Sequence, residues 1–263
     1  MKYQELDFDV RDGVAWIRIN RPDALNAVNL QSLKELCDIA NRCGADRSVR
    51  VAVLTGAGDR AFCAGGDIAE FAAHADAIEL LVRERTGYLH LAVSRFAWMR
   101  APLIAAVNGV AAGAGLSLAA CCDLAIAADS AKFTSAYTQV GFTPDGSSTY
   151  FLSRLLGHRR AMELYLTNRV LDADEALEWG LVNRVVAAKD LADEAGRLAL
   201  EFAAGPTRAY GGVKKLLQMA SNDSLESQME REARMVAETS ASADGREGVR
   251  AFVQKRKANF TGD

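Results

Sequence analysis

The stretches Phe62-Cys63-Ala64-Gly65-Gly66-Asp67 and Asn108-Gly109-Val110-Ala111-Ala112-Gly113-Ala114-Gly115 decide how this chain reads. Each follows an apolar run with the character of a buried strand, Val51 to Thr55 and Leu103 to Val107. A strand that empties into Gly and Ala leaves its backbone N–H groups unshielded by side chains. Two such groups aimed at one point stabilise a developing oxyanion better than a mobile side chain can. Small residues also serve simply to bring two backbones together in tight turns, and either stretch alone fits that use as well.

Outward from these stretches, short strands alternate with helices over the first two hundred residues. Leu6 to Val10 and Val14 to Ile19 flank Asp12-Gly13, a hairpin signal. Leu30, Leu33, Leu36, Cys37 and Ala40 recur at helical spacing. A long helix is expected within Ala77 to Trp98, a helix over Ala114 to Ala120, and a strand over Leu124 to Ala127. From about Ala188 the pattern is helical only, broken at Pro206, at Ser221-Asn222-Asp223 and at Ser242-Ala243-Asp244-Gly245. The expectation is an α/β core over residues 1–200 followed by a helical region over 201–263.

At 263 residues the chain can bury one substantial core, or one core with a small appended domain. A net charge of −3 argues against nucleic acid as the main partner, because a phosphate backbone demands clustered basic charge. Five cysteines without Cys-x-x-Cys spacing and three histidines disfavour both a disulfide framework and a metal site. Met1-Lys2-Tyr3-Gln4-Glu5 leads into a strand pattern without a basic-then-apolar signal, and charges break the longest apolar stretches well short of a membrane span. A cytoplasmic, reduced protein without membrane partners is the simplest expectation.

Further segments extend the pattern: Arg21-Pro22-Asp23-Ala24-Leu25-Asn26-Ala27, Gly157-His158-Arg159-Arg160-Ala161, Ala176 to Val182, and Phe252-Val253-Gln254-Lys255-Arg256. With the two small-residue stretches, they make the chain resemble the crotonase superfamily, also called the enoyl-CoA hydratase/isomerase family, in order and over essentially its whole length. The resemblance implies a crotonase-like spiral of ββα units with a C-terminal helical trimerisation region, assembled as a homotrimer or as a hexamer of two trimers. It also implies coenzyme A as part of a thioester substrate, with no tightly bound cofactor. The backbone N–H groups of Gly66 and Ala114 would be the oxyanion donors, with Ala64, Gly65, Asp67, Ile68 and Gly113 shaping the ligand site around them. Arg21, Ala24, Leu25 and Ala27 would lie against the nucleotide and pantetheine arm, and Phe252 and Lys255 would reach a neighbouring subunit's site. By residue type alone, Arg21 and Lys255 read as solvated charges and Phe252 as a packed helix face.

The acid-base residues depart from the family's hydratases, whose two glutamates fall at the positions of Ser117 and Tyr137. A hydroxyl with a pKa near 10 or above does not replace a carboxylate as general base at neutral pH. Asp145, in Phe142-Thr143-Pro144-Asp145-Gly146-Ser147-Ser148, reads locally as the cap of a Ser-rich helix. Its segment resembles the family's isomerase branches, where the aspartate faces the acyl group, and one carboxylate suffices to move a proton between carbons. His90 and Asp145 also match the water-activating histidine and nucleophilic aspartate of the aryl-CoA dehalogenase branch, whose tryptophan is Tyr137 here. Isomerisation by Asp145, hydration by a non-standard acid-base set, dehalogenase-like hydrolysis and non-catalytic acyl-CoA binding all remain open on these grounds. Gly115-Leu116-Ser117-Leu118-Ala119 falls one residue short of a serine-hydrolase elbow.

Overall fold

The computed structural model describes residues 3–263, so Met1 and Lys2 of the N-terminal reading lie outside the described residues. β1 (Leu6–Arg11) and β2 (Val14–Ile19) pair antiparallel from Leu6 with Ile19 to Arg11 with Val14. Asp12 and Gly13 between them both hold positive φ, the two-residue turn that matches strand twist. α1 (Leu30–Ala45) follows. Its cap is reciprocal: Asn29 Oδ1 accepts from Ser32 N–H, and Ser32 Oγ accepts from Asn29 N–H. Leu33, Leu36, Cys37 and Ala40 form its buried face.

Three successive units then repeat one path. β3 (Val51–Gly56) and β4 (Ala61–Cys63) lead to α2 (Ile68–Ala73) and the long α3 (Ile78–Trp98). β5 (Leu103–Val107) and β6 (Val110–Ala112) lead to α4 (Ala114–Cys121). β7 (Leu124–Ala128) and β8 (Lys132–Thr134) lead to α5 (Ser148–Leu156). In each unit the first strand joins a large sheet and the second a small one. The spiral is closed by α6 (His158–Thr167), β9 (Leu171–Asp172), α7 (Ala173–Glu178) and β10 (Arg184–Val186). The strand order is β1-β2-β3-β5-β7-β10 in the large sheet and β4-β6-β8-β9 in the small one. This is the crotonase-type spiral of ββα units, and a helical region completes it: α8 (Leu191–Ala203), α9 (Thr207–Ala220), α10 (Leu225–Ser240) and α11 (Ala243–Val253).

The central strands of the large sheet are buried on both faces, which is why Val51 to Leu54 is a continuous apolar run rather than an alternating one. Ala15, Ile17, Ile19, Ala52 and Leu54 join the core that includes α1 and α3. Val14, Val51, Val53, Ile104 and Ile126 pack with Leu191, Ala195, Leu198 and Ala199 of α8. The expected division at residue 200 thus falls inside a helix that packs on the sheet. The expected break at Ser242 to Gly245 is sharper than its four residues imply: Ser242 Oγ accepts from Gly245 N–H, so α11 already begins at Ala243. The short strands of the small sheet were not anticipated as strands, because β4 and β6 lie within or against the small-residue stretches. Among the described residues, no helix is long and apolar enough to cross a membrane.

Candidate active site

β4 and β6 run parallel, pairing Ala61 with Val110 and Cys63 with Ala111 across an irregularity in register. Both small-residue stretches therefore leave neighbouring strands in the same direction and turn at the same end of the small sheet. Their closeness dictates glycine. A Cβ on Gly115 would sit 1.9 Å from the Cys63 carbonyl oxygen, and one on Gly65, at φ +104°, would sit 3.0 Å from the Ala112 carbonyl oxygen. Gly66 and Ala114 line one cavity of about 690 Å³. Among the described residues neither N–H donates to a protein acceptor, and Ala114 opens α4, where the first turn's N–H groups have no intrahelical partner. Two unengaged donors border the same space.

Asp145 borders it too. Its carboxylate is not the cap that the local sequence suggested: α5 has Ser147 at its cap position without a side-chain cap bond, because Gly146 and Ser147 both adopt positive φ and turn the chain away. Instead Tyr137 donates its hydroxyl to Asp145 Oδ1 at 2.7 Å, and the Thr86 hydroxyl stands 3.5 Å from Oδ2. Ser117 Oγ lies 3.0 Å from the Tyr137 oxygen and 3.1 Å from the Asp145 carbonyl oxygen. Burial, reinforced by the neighbouring Asp145 charge, pushes the Tyr137 phenol far above its ordinary range, so it remains a donor at any working pH. Ser117 and Tyr137 thus form a hydroxyl chain ending on the Asp145 carboxylate.

His90, on α3 at the cavity edge, accepts the Gly146 N–H at Nε2 over 3.1 Å. A backbone N–H can only donate, so this nitrogen presents its lone pair to the loop and the ring proton sits on Nδ1. In this geometry His90 steadies the segment that carries Asp145.

Ala64, Gly65, Ile68, Gly113 and Tyr137 also line the cavity. Arg21, Ala24, Leu25 and Ala27 lie instead on the turn that braces the Ala64 to Asp67 loop. Leu25 and Asn26 hold positive φ, Leu25 O accepts from Ala64 N–H at 3.1 Å, and the buried Asn26 amide donates to Ala57 O and Ala61 O. Arg21 is no solvated charge: it pairs with Glu5 at 2.8 Å and Asp67 at 2.9 Å and donates to Ala27 O. Asp67 in turn caps α2, accepting from Ala69 and Glu70 N–H. Phe252 is not a packed helix face; it stands 86% exposed near the end of α11, and Lys255 beyond it is exposed as well. Neither joins the cavity within one chain.

Phe71, which with Tyr88, Tyr137 and Phe142 hints in the sequence at an aromatic or long acyl group, lines the cavity, and so does Arg85, which sequence reasoning missed. The guanidinium lies 4.5 Å from the Phe71 ring centre, and Phe71 meets Phe142 edge-on at 5.7 Å. A signal was present, since Arg85 occupies the apolar stripe of α3 between Leu81 and Leu89, where a charge must find partners.

A ββα spiral that brings two glycine-rich turns to one cavity defines a crotonase-type acyl-thioester enzyme. The chain belongs to the enoyl-CoA hydratase/isomerase family, whose description matches residues 9–263. It is 38% identical over 262 residues to a Rhodobacter capsulatus protein named "Probable enoyl-CoA hydratase", covering 100% of both chains. It is 40% identical over 255 residues to the 1,2-epoxyphenylacetyl-CoA isomerase of Escherichia coli, covering 96% of this chain and 97% of that one. With 4-chlorobenzoyl coenzyme A dehalogenase-2 of Arthrobacter it shares 42% identity over 226 residues, 86% of this chain and 82% of the other. The crystal structure of an enoyl-CoA hydratase from Bacillus anthracis superposes with a TM-score of 0.93 at 32% identity, covering 99% of this chain and 100% of that one.

Proposed function

We propose that this enzyme isomerises an unsaturated or ring-containing acyl-CoA through a thioester enolate, with Asp145 as the proton shuttle. The observation that carries this is the Asp145 carboxylate, oriented by the Tyr137 hydroxyl, in the cavity bordered by the unengaged N–H groups of Gly66 and Ala114. The thioester oxygen would take both N–H bonds, which stabilise negative charge as it develops there. Asp145 would remove a proton from the carbon next to the carbonyl, the electron pair passing into the enolate. The same carboxylic acid would then return the proton at another carbon, so atoms and charge balance without water. The other carboxylate at the cavity, Glu79, is 81% exposed at its side chain and paired with Arg83, a poor second acid-base for hydration.

Coenzyme A would run past the Arg21 to Ala27 turn, with Phe252 and Lys255 supplied by a neighbouring chain of a homotrimer or hexamer. The Phe71–Phe142 pair favours an aromatic or long acyl group. The relative named an epoxyphenylacetyl-CoA isomerase supports the choice of chemistry. A second reading, nucleophilic attack by Asp145 on an aryl-CoA, is favoured by the Tyr137 bond, since an oriented carboxylate also suits that role.

One experiment separates the two. Phenylacetyl-CoA in D₂O should exchange its α-protons with the wild type, and Asp145→Asn should lower the exchange rate by about 10²-fold or more with little change in affinity. Turnover of candidate substrates in H₂¹⁸O should leave the Asp145 peptide unlabelled; solvent ¹⁸O in that peptide after a single turnover replaces the shuttle with the nucleophile.

A further inference from the structure

Arg85 is a buried cation that the proton transfer leaves unused. It is 5% exposed, and a guanidinium so far out of water is costly unless its donors are engaged. Nη2 donates to the Val28 carbonyl at 2.7 Å, and Nη1 pairs with Glu70. Val28 is also the bridge partner of Gly66: its N–H donates to Gly65 O at 2.8 Å, and its carbonyl accepts from Asp67 N–H at 3.0 Å. One backbone residue therefore separates the guanidinium from the peptide that carries the Gly66 N–H. The guanidinium also packs beside this glycine, since a Cβ added at Gly66 would lie 3.2 Å from Arg85 Nη2. Glu70 fixes the other end, accepting the Leu30 N–H at 3.1 and 3.3 Å and so tying α1 to α2 and α3.

We propose that Arg85, held by Glu70, is a positioning residue that sets the direction of the Gly66 N–H toward the thioester oxygen. The inference rests on Gly66 being an oxyanion donor. A glycine turn has no side chain of its own to fix its peptide plane. A planar guanidinium that grips Val28 O and the Glu70 carboxylate at once supplies that rigidity from α3. Lysine, a point charge on a flexible stem, reproduces only part of the grip.

The test uses phenylacetyl-CoA carrying ¹³C at the thioester carbonyl, with infrared difference spectra of the bound carbonyl stretch beside the rate of α-proton exchange. Wild type should lower the stretch frequency on binding, and Asp145→Asn should keep that shift while losing exchange. Arg85→Gln should lose at least about half of the shift and slow exchange by about 10-fold or more, as misplacement of a reacting group does. Its affinity should stay within about threefold, because the lost interaction strengthens only as charge develops. Arg85→Lys should fall between. Should Arg85→Gln fail to fold, Glu70→Gln and Arg85→Lys carry the same comparison. A full shift and full exchange rate in the folded variants overturn the role of Arg85 alone. No shift in wild type overturns the oxyanion role of Gly66, and the Arg85 proposal with it.

Discussion

Gly115→Ala should damage both stability and catalysis, although local helix physics favours it. Gly115 is the second residue of α4, and alanine in a helix is better than glycine by about 1 kcal/mol. The new Cβ would, however, stand 1.9 Å from Cys63 O, 2.8 Å from Cys63 C and 2.9 Å from Cys63 Cβ. Two of these are backbone atoms of β4 and cannot rotate aside. β4 and α4 must separate by about 1 Å, an overpacking that typically costs about 1–3 kcal/mol and here exceeds the propensity gain. The net loss should lower the melting temperature by about 2–4 °C per kcal/mol. The same separation pulls the Gly66 turn, which follows β4, away from Ala114, which opens α4. About 1 Å of misalignment is worth about 10²-fold in rate, so α-proton exchange on phenylacetyl-CoA should fall by that order. Gly87→Ala is the control: it lies in α3, its Cβ would meet nothing within 4 Å, and it should raise stability by up to about 1 kcal/mol with exchange unchanged. A Gly115→Ala protein that melts at or above the wild-type temperature and exchanges at the wild-type rate refutes the close-approach argument.

Tyr137→Phe removes the donor on Asp145; a hydrogen bond to a charged group is worth about 1.5–3 kcal/mol, so α-exchange should slow by about 10- to 100-fold, and an unchanged rate would remove Tyr137 from the machinery. Burial pushes the Cys63 thiol up to about 11 from 9.0, so the unfolded chain loses this proton first. The stability it carries is complete below pH 9 and drains as pH rises to 11, by about 3 kcal/mol in all; denaturant unfolding across that range should show a shallower decline for Cys63→Ala. Light scattering should report a trimer or hexamer, since Leu217, Leu225, Met229, Val236 and Phe252 expose apolar surface along α9 to α11; a stable monomer at micromolar concentration would also leave Phe252 and Lys255 without a neighbouring site to complete.

The parts legible in the sequence were those set by local rules. Asp12-Gly13 makes its turn from its own backbone preferences, α1 shows its buried face in the helical spacing of Leu33, Leu36, Cys37 and Ala40, and central large-sheet strands announce themselves as unbroken apolar runs. β4, β6, β8 and β9 span two or three residues each, too short for a period to register, and exist only because they pair with one another. Asp145 looked like a cap because the positive φ of Gly146 and Ser147, which turns it inward, is imposed by the packing around it. Arg85 stayed hidden because its partners, Glu70 and Val28, lie 15 and 57 residues away. Residue type alone hid the exposure of Phe252, because nothing in it distinguishes an aromatic meant for its own core from one left on the surface; the family resemblance, which sends Phe252 to a neighbouring chain, was the cue that placed it outward.

The serine at position 117, where the family resemblance would put a glutamate, and the aspartate at 145 are two sides of one packing arrangement. Gly146 passes so near α4 that a Cβ there would lie 2.8 Å from Ser117 Cβ and 3.2 Å from Leu89 Cδ2, and Gly146 holds φ +61°. The loop that carries Asp145 thus rests directly on the small side chain at 117. A glutamate at that position, one turn beyond Ala114 on the same helix, would have to enter the space the loop occupies. Serine fills it while keeping a hydroxyl that reaches Gly113 O, Asp145 O and the Tyr137 oxygen within 3.0 to 3.2 Å. The carboxylate therefore reaches this cavity from the loop and not from α4; the Tyr137 hydroxyl binds it, and the Ser117 hydroxyl holds the Tyr137 oxygen and the Asp145 backbone carbonyl. A site so arranged holds a single carboxylate in this hydroxyl network, enough for a proton to leave one carbon and return to another.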